Sequence, residues 1–122
     1  MSTTKEMLEK LLNDLKKVGG IEASAVVSRD GLLMASDIPS GIHAETFAAM
    51  NATMVGAAET AISELKKGVP ERVIAESKEA KVIATGAGSK ALLVVMTSPD
   101  AGLGLVLVEM ERITEKIKGL LD

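Results

Sequence analysis

The segment from Ala44 to about Lys66 constrains the fold of this chain more than any other. Phe47, Met50, Met54, Val55, Ala58, Ile62 and Leu65 recur there at helical spacing, which is the stripe a helix needs to seat itself on a sheet. Beside it runs a second stripe, Ala44, Ala48, Ala52 and Gly56 at four-residue steps, flanked by Ala49, Thr53 and Ala57. A stripe without bulk lets another backbone come close. Solvent-facing alanines would leave the helix without its usual polar face, so the pattern predicts helix-on-helix contact with a second copy of the chain. The competing reading is tight packing onto the chain's own sheet. Met50 and Met54 offer either an adaptable contact surface or core filling, since an unbranched thioether suits both.

The elements around this helix follow from local signals. Thr3 with Glu6 makes a capping-box pattern, and Leu8, Leu11, Leu12, Leu15 and Val18 continue at helical spacing until Gly19-Gly20 stops them. Ala23 to Ser28 and Leu32 to Ser36 are short strand-compatible runs around Arg29-Asp30-Gly31, where Asp-Gly suits a tight hairpin. Pro39, Ser40 and Gly41 mark a loop into the long helix, and Gly68 and Pro70 end it. Three further strands are predicted at Arg72 to Ser77, Lys81 to Ala87 and Ala91 to Thr97. The last is apolar on both faces and belongs at the centre of a sheet, whereas Arg72 and Glu76 suit an edge. From Leu103 the apolar residues Val106, Leu107, Met110, Ile113, Ile117 and Leu120 fit one face of a closing helix, with Asp100 as its expected cap. The order α-β-β-α-β-β-β-α, within one expected domain over residues 1–122, defines an α+β fold: an antiparallel sheet with helices on both sides.

Composition narrows the function. One Phe, no Tyr and no Trp leave no stacking platform for bases, and a net charge of −3 without a basic run argues against nucleic acid as partner. With no cysteine, disulfides and thiolate chemistry are excluded, and the usage fits a cytoplasmic protein. No apolar run approaches the ~20 residues of a membrane span, so no membrane insertion is expected. The lone His43 lacks the HxH or HExxH spacing of a metal site and reads as an exposed or capping residue. Gly86-Ala87-Gly88-Ser89-Lys90 fails the phosphate-loop spacing and precedes a strand, so it reads as a hairpin turn. No catalytic, cofactor-binding or metal-binding residues are assigned, and an enzyme is not expected. Arg29, Arg72 and Arg112 are the only arginines and read first as a solvated turn, an edge-strand charge and a helix-surface charge, with Arg29 the most reachable if one of them meets a partner's phosphate.

The ordered set of segments resembles the Roadblock / dynein light chain family over nearly the whole chain. The residues that carry it are Val18-Gly19-Gly20-Ile21 leading into Ala25-Val26-Val27-Ser28, then Asp30-Gly31-Leu32-Leu33-Met34-Ala35-Ser36. Phe47-Ala48-Ala49 to Ala57-Ala58, Glu64-Leu65, Gly68, Leu92-Leu93-Val94-Val95 and Leu103-Gly104-Leu105-Val106 complete it. A departure lies at His43-Ala44-Glu45, where family members often place an acidic residue nearer the helix start.

The resemblance implies a five-stranded, Roadblock/profilin-like sheet with the first and last helices on one face and the central helix on the other. It also implies homodimers or heterodimers with third strands paired edge to edge and central helices side by side. That assigns Ala44, Ala48, Ala52, Gly56, Arg72, Ile74 and Glu76 to a dimer interface, with Arg29, Met50 and Met54 as partner-binding candidates. Family members scaffold or regulate small Ras-like GTPases, or link cargo to dynein, and a stand-alone chain looks most like the Mgl-type regulators of bacteria and their archaeal relatives. The expectation is therefore a cytoplasmic, non-catalytic homodimer that binds a small Ras-like GTPase and modulates its nucleotide cycle, in the manner of a GTPase-activating protein. An adaptor scaffold without effect on turnover is the first alternative, and a small-molecule sensory domain is the second.

Overall fold

The computed structural model describes residues 2–122. Its elements are α1 (Thr4–Leu15), β1 (Ile21–Ser28), β2 (Leu33–Asp37), α2 (Ala44–Glu64), β3 (Arg72–Glu76), β4 (Lys81–Ala87), β5 (Ala91–Thr97) and α3 (Leu103–Leu121). The five strands form one sheet in the order β2-β1-β5-β4-β3, and every neighbouring pair is antiparallel. The element order is the one the sequence predicts, and most boundaries agree within a residue. β1 starts two residues early, at Ile21, because a register shift between Ile21 and Ala23 lets the strand begin directly after the glycine pair.

Local chemistry explains the ends of the elements. At α1 the Glu6 amide donates to Thr3 Oγ1 at 3.1 Å while the Thr3 amide donates to Glu6 Oε1 at 3.1 Å, so two otherwise orphaned donors are satisfied. Gly20 sits at φ +94°, and a Cβ there would fall 2.4 Å from Ala101 Cβ; both the left-handed backbone and the close approach require glycine. The expected Asp100 cap is not made. Ser98 to Ala101 form a turn closed by the Ala101 amide donating to the Ser98 carbonyl at 3.3 Å, and α3 starts after it with Gly102 at the N-cap and no side-chain cap.

β5 lies at the sheet centre and alternates its side chains between two separate cores. Leu93 and Val95 join Leu8, Leu12, Leu15, Ile83, Met110 and Ile113 beneath α1 and α3. Leu92 and Val94 join Ala25, Val27, Ala48, Val55 and Ala84 beneath α2. The first core is built from long side chains of two helices, the second from short ones under a single helix. At the outer edges, α1 packs against β2, and Lys16 reaches Asp37 at 3.6 Å. β3, at the other edge, pairs with β4 alone.

Candidate functional site

The placement of α2 divides the predicted small-residue stripe. Ala48 is fully buried in the core under the helix, and Ala44 is half-buried. Ala52 is half-buried too, packed against that core and beside the β1–β2 turn, where a Cβ on Gly31 would lie 3.6 Å from Ala52 Cβ. Only Gly56 of the four is exposed. Ala48 therefore leaves the candidate interface, and Ala44 and Ala52 stand at its margin. The reason is helical geometry: a row of i, i+4 residues winds about the axis by ~40° per step, because 3.6 residues make a turn. A row that begins facing the sheet ends facing solvent.

The face that α2 turns outward includes Thr46, Met50, Thr53, Gly56, Ala57, Thr60 and Ala61, with Glu64 closing it at the C-terminal end. Within it Thr46, Met50, Thr53, Ala57 and Thr60 step alternately by four and three residues, which holds a face straight along a helix. The signal for it was available in the three threonines at 46, 53 and 60, each seven residues from the next. Thr53 and Thr60 donate their hydroxyls to the Ala49 and Gly56 carbonyls at 2.8 and 3.1 Å, so each spends its donor on its own helix. Met50 is 59% exposed, whereas Met54 is half-buried and packs onto the core under α2. Between this helix and the sheet edge runs a groove of about 420 Å³, lined by Ile42, Phe47, Met50, Met54, Ala75 and Val82. His43 occupies the N-cap position, is exposed, and makes no capping hydrogen bond with its side chain.

β3 continues the same flank. Arg72, Ile74, Ala75 and Glu76 are exposed and Val73 is half-buried. Val73 packs with Val82 and Ala84 toward α2. Ile74 stands opposite Ile83, which is buried under α1 and α3, so Arg72, Ile74 and Glu76 share that opposite face. The edge and the outward face of α2 are thus neighbours on one side of the molecule.

Arg29 does not stand free in its turn. Its Nη2 donates to the Gly88 carbonyl at 2.9 Å, and its Nη1 lies 3.4 Å from Glu59 Oε2 on α2. The side chain crosses Gly86, where a Cβ would sit 2.9 Å from Nη2. The guanidinium ties the β1–β2 turn to the β4–β5 turn and to α2, and it stays exposed at the surface while doing so. The Gly86–Lys90 run is the expected β4–β5 turn: the Ser89 amide donates to Asp122 Oδ2 at 3.2 Å and Lys90 Nζ to the Leu121 carbonyl at 2.8 Å.

Buried polar groups are few and satisfied. Asn51 Nδ2 donates to the Phe47 carbonyl at 2.8 Å and Thr97 Oγ1 to the Ser98 carbonyl at 2.9 Å. Among the described residues no buried side-chain polar atom lacks a partner, and no cluster of three or more His, Cys, Asp or Glu is placed to hold a metal. No helix among them is long and apolar enough to cross a membrane.

A sheet covered on both faces, with one helix left apolar outward beside an open edge, defines a small α+β module whose accessible features suit protein contacts. The family model of the Roadblock/LC7 domain matches residues 7–97. Two proteins of Methanocaldococcus jannaschii, the uncharacterized proteins MJ1340 and MJ0310, are 38% and 37% identical over 114 residues, covering 93% of this chain and 99% of each relative. This chain belongs to the Roadblock/LC7 domain family. Its fold is similar to that of MglB, solved in a tetrameric arrangement, with a TM-score of 0.90 at 19% identity over 98% of this chain and 91% of that one.

Proposed function

We propose that the chain is a non-catalytic, dimeric regulator of a small Ras-like GTPase, working in the cytoplasm. The observation that carries this reading is the pairing of two unpartnered features on one flank: the small, apolar outward face of α2 and the open edge of β3. A second copy, turned about an axis perpendicular to the sheet, brings edge to edge and α2 beside α2, and closes both at once. Small residues at Thr53, Gly56 and Ala57 let the helices approach closely. The paired helices then present a broad surface, with Met50 at its margin, for a folded partner. The GTPase as that partner is the reading the family supports, as is the similarity to MglB in fold. The satisfied interior favours protein contact over a small-molecule sensor, which needs convergent polar groups in a cavity.

Capture on the tagged protein from native lysate, with a GTP analogue or GDP added, tests the reading. A Ras-like GTPase enriched with the analogue is expected, and turnover by that GTPase should change when the protein is added. Capture of other proteins with no GTPase in either nucleotide state would move the function to a scaffold.

A further inference from the structure

We propose that β3 recognises a second copy of this same chain through a register centred on Ile74, in which Arg72 faces the partner's Glu76 and Glu76 faces the partner's Arg72. This deepens the dimer reading above and rests on it. β3 carries two opposite charges four residues apart, on one face, beside an unpaired edge. Among the described residues neither charge lies within ion-pair distance of an opposite one. Lys81 stands opposite Glu76 in the β3–β4 register, but its Nζ donates instead to the Pro99 carbonyl at 2.9 Å.

Geometry leaves few registers. Two copies of one strand paired antiparallel about a two-fold axis place residues opposite each other whose numbers have a constant sum. Opposed residues must also point to the same face of the sheet, because side chains alternate along a strand. The axis therefore passes through a residue and never between two. Centred on Val73, the pairing sets Glu76 against Pro70, which has no amide to donate. Centred on Ala75, it sets Arg72 against Lys78, a like-charge pair. Centred on Ile74, all five residues of each strand are paired, the Ile74 side chains meet across the axis, and opposite charges face each other twice. A chain with other residues at these positions would forfeit both attractions or meet like charges, so the edge selects an identical copy over a relative.

The test is the mass in solution of the whole protein across a dilution series, for wild type, R72E, E76R, the double variant R72E/E76R, and an equimolar mixture of the two single variants. Circular dichroism melting checks that each variant folds; both positions are exposed. Wild type should be a dimer. Each single variant alone should dimerise on the order of tenfold more weakly, because it sets like charges together twice. The mixture should recover dimers, since one chain then offers two acidic and the other two basic residues, and the double variant should recover them alone. Wild-type dimers whose strength is unmoved by the single variants, or not rescued by the mixture, overturn the register and leave the dimer standing. A wild-type monomer at all concentrations overturns both.

Discussion

The Arg29 guanidinium donates to the Gly88 carbonyl and lies against Glu59, which joins three parts of the fold that are distant in sequence. Both side chains are more than a third exposed, so solvent screens the pair and its net worth is small. Arg29→Ala should lower stability by about 1 kcal/mol or less in urea unfolding. Dimer mass should stay unchanged, because the guanidinium is tied to Gly88 and Glu59 of its own chain; a lost dimer would place Arg29 in the interface. Thr3 and Glu6 make a sharper prediction. Two hydrogen bonds from Thr3, backbone first and hydroxyl second, hold the Glu6 carboxyl below its ordinary value of 4.5. A group lowered on folding contributes stability above its unfolded value and loses it as pH falls through the folded one. The first turn of α1 should therefore loosen on acidification below about 4.5, read as a smaller amide protection factor at Glu6 relative to the intrinsic exchange rate at each pH. Thr3→Ala should weaken that dependence without abolishing it, because the Thr3 amide that is its larger cause remains, and loss of the capping hydroxyl should cost about 1 kcal/mol. The capping box was legible because its partners are three residues apart. The Arg29 contacts were not, because they form across chain segments that only the folded sheet brings together.

Among the elements, α2 carries the largest part of the proposed interface and was the least completely read. Its boundaries and its sheet-facing residues Phe47, Met54 and Val55 follow from apolar periodicity. Its outward face did not, because small residues surround most of the helix and only the sheet beneath decides which of them are covered. Thr53 and Ala48 separate the two sides experimentally. Thr53→Arg should leave the melting temperature close to wild type and convert a dimer to a monomer by light scattering, since the residue faces outward. Ala48→Arg should abolish folding, because the site is fully buried against β1, β4 and β5. A Thr53→Arg protein that stays dimeric would remove α2 from the interface, and an Ala48→Arg protein that melts like wild type would overturn the buried placement of that residue. The edge strand was legible from its charges, as was the central strand from its uninterrupted apolar run.

At the scale of the whole molecule, β5 holds two cores apart and together. Val94→Asp should lose the cooperative melting transition, since an unpaired buried charge removes several kcal/mol from a total of roughly 5–15. Amides of β1 and β5, each flanked by strands on both sides, should exchange slowest, and those of β3 faster. A β3 that exchanges as slowly as β5 only at concentrations where dimers form would report the edge closing. The overall arrangement was legible because helical and strand periods alternate clearly along the chain. The inward turn of particular small side chains was not, because alanine and glycine carry little hydrophobic signal.

The spacing of Arg72 and Glu76 on an open edge has an evolutionary consequence. After a gene duplication, one charge reversal in one daughter would leave a protein averse to itself, and the opposite reversal in its sister would bind the two into an obligate couple. On the proposed pairing, two residues of a five-residue strand would hold a heritable address, open to rewriting by single mutations that touch neither core.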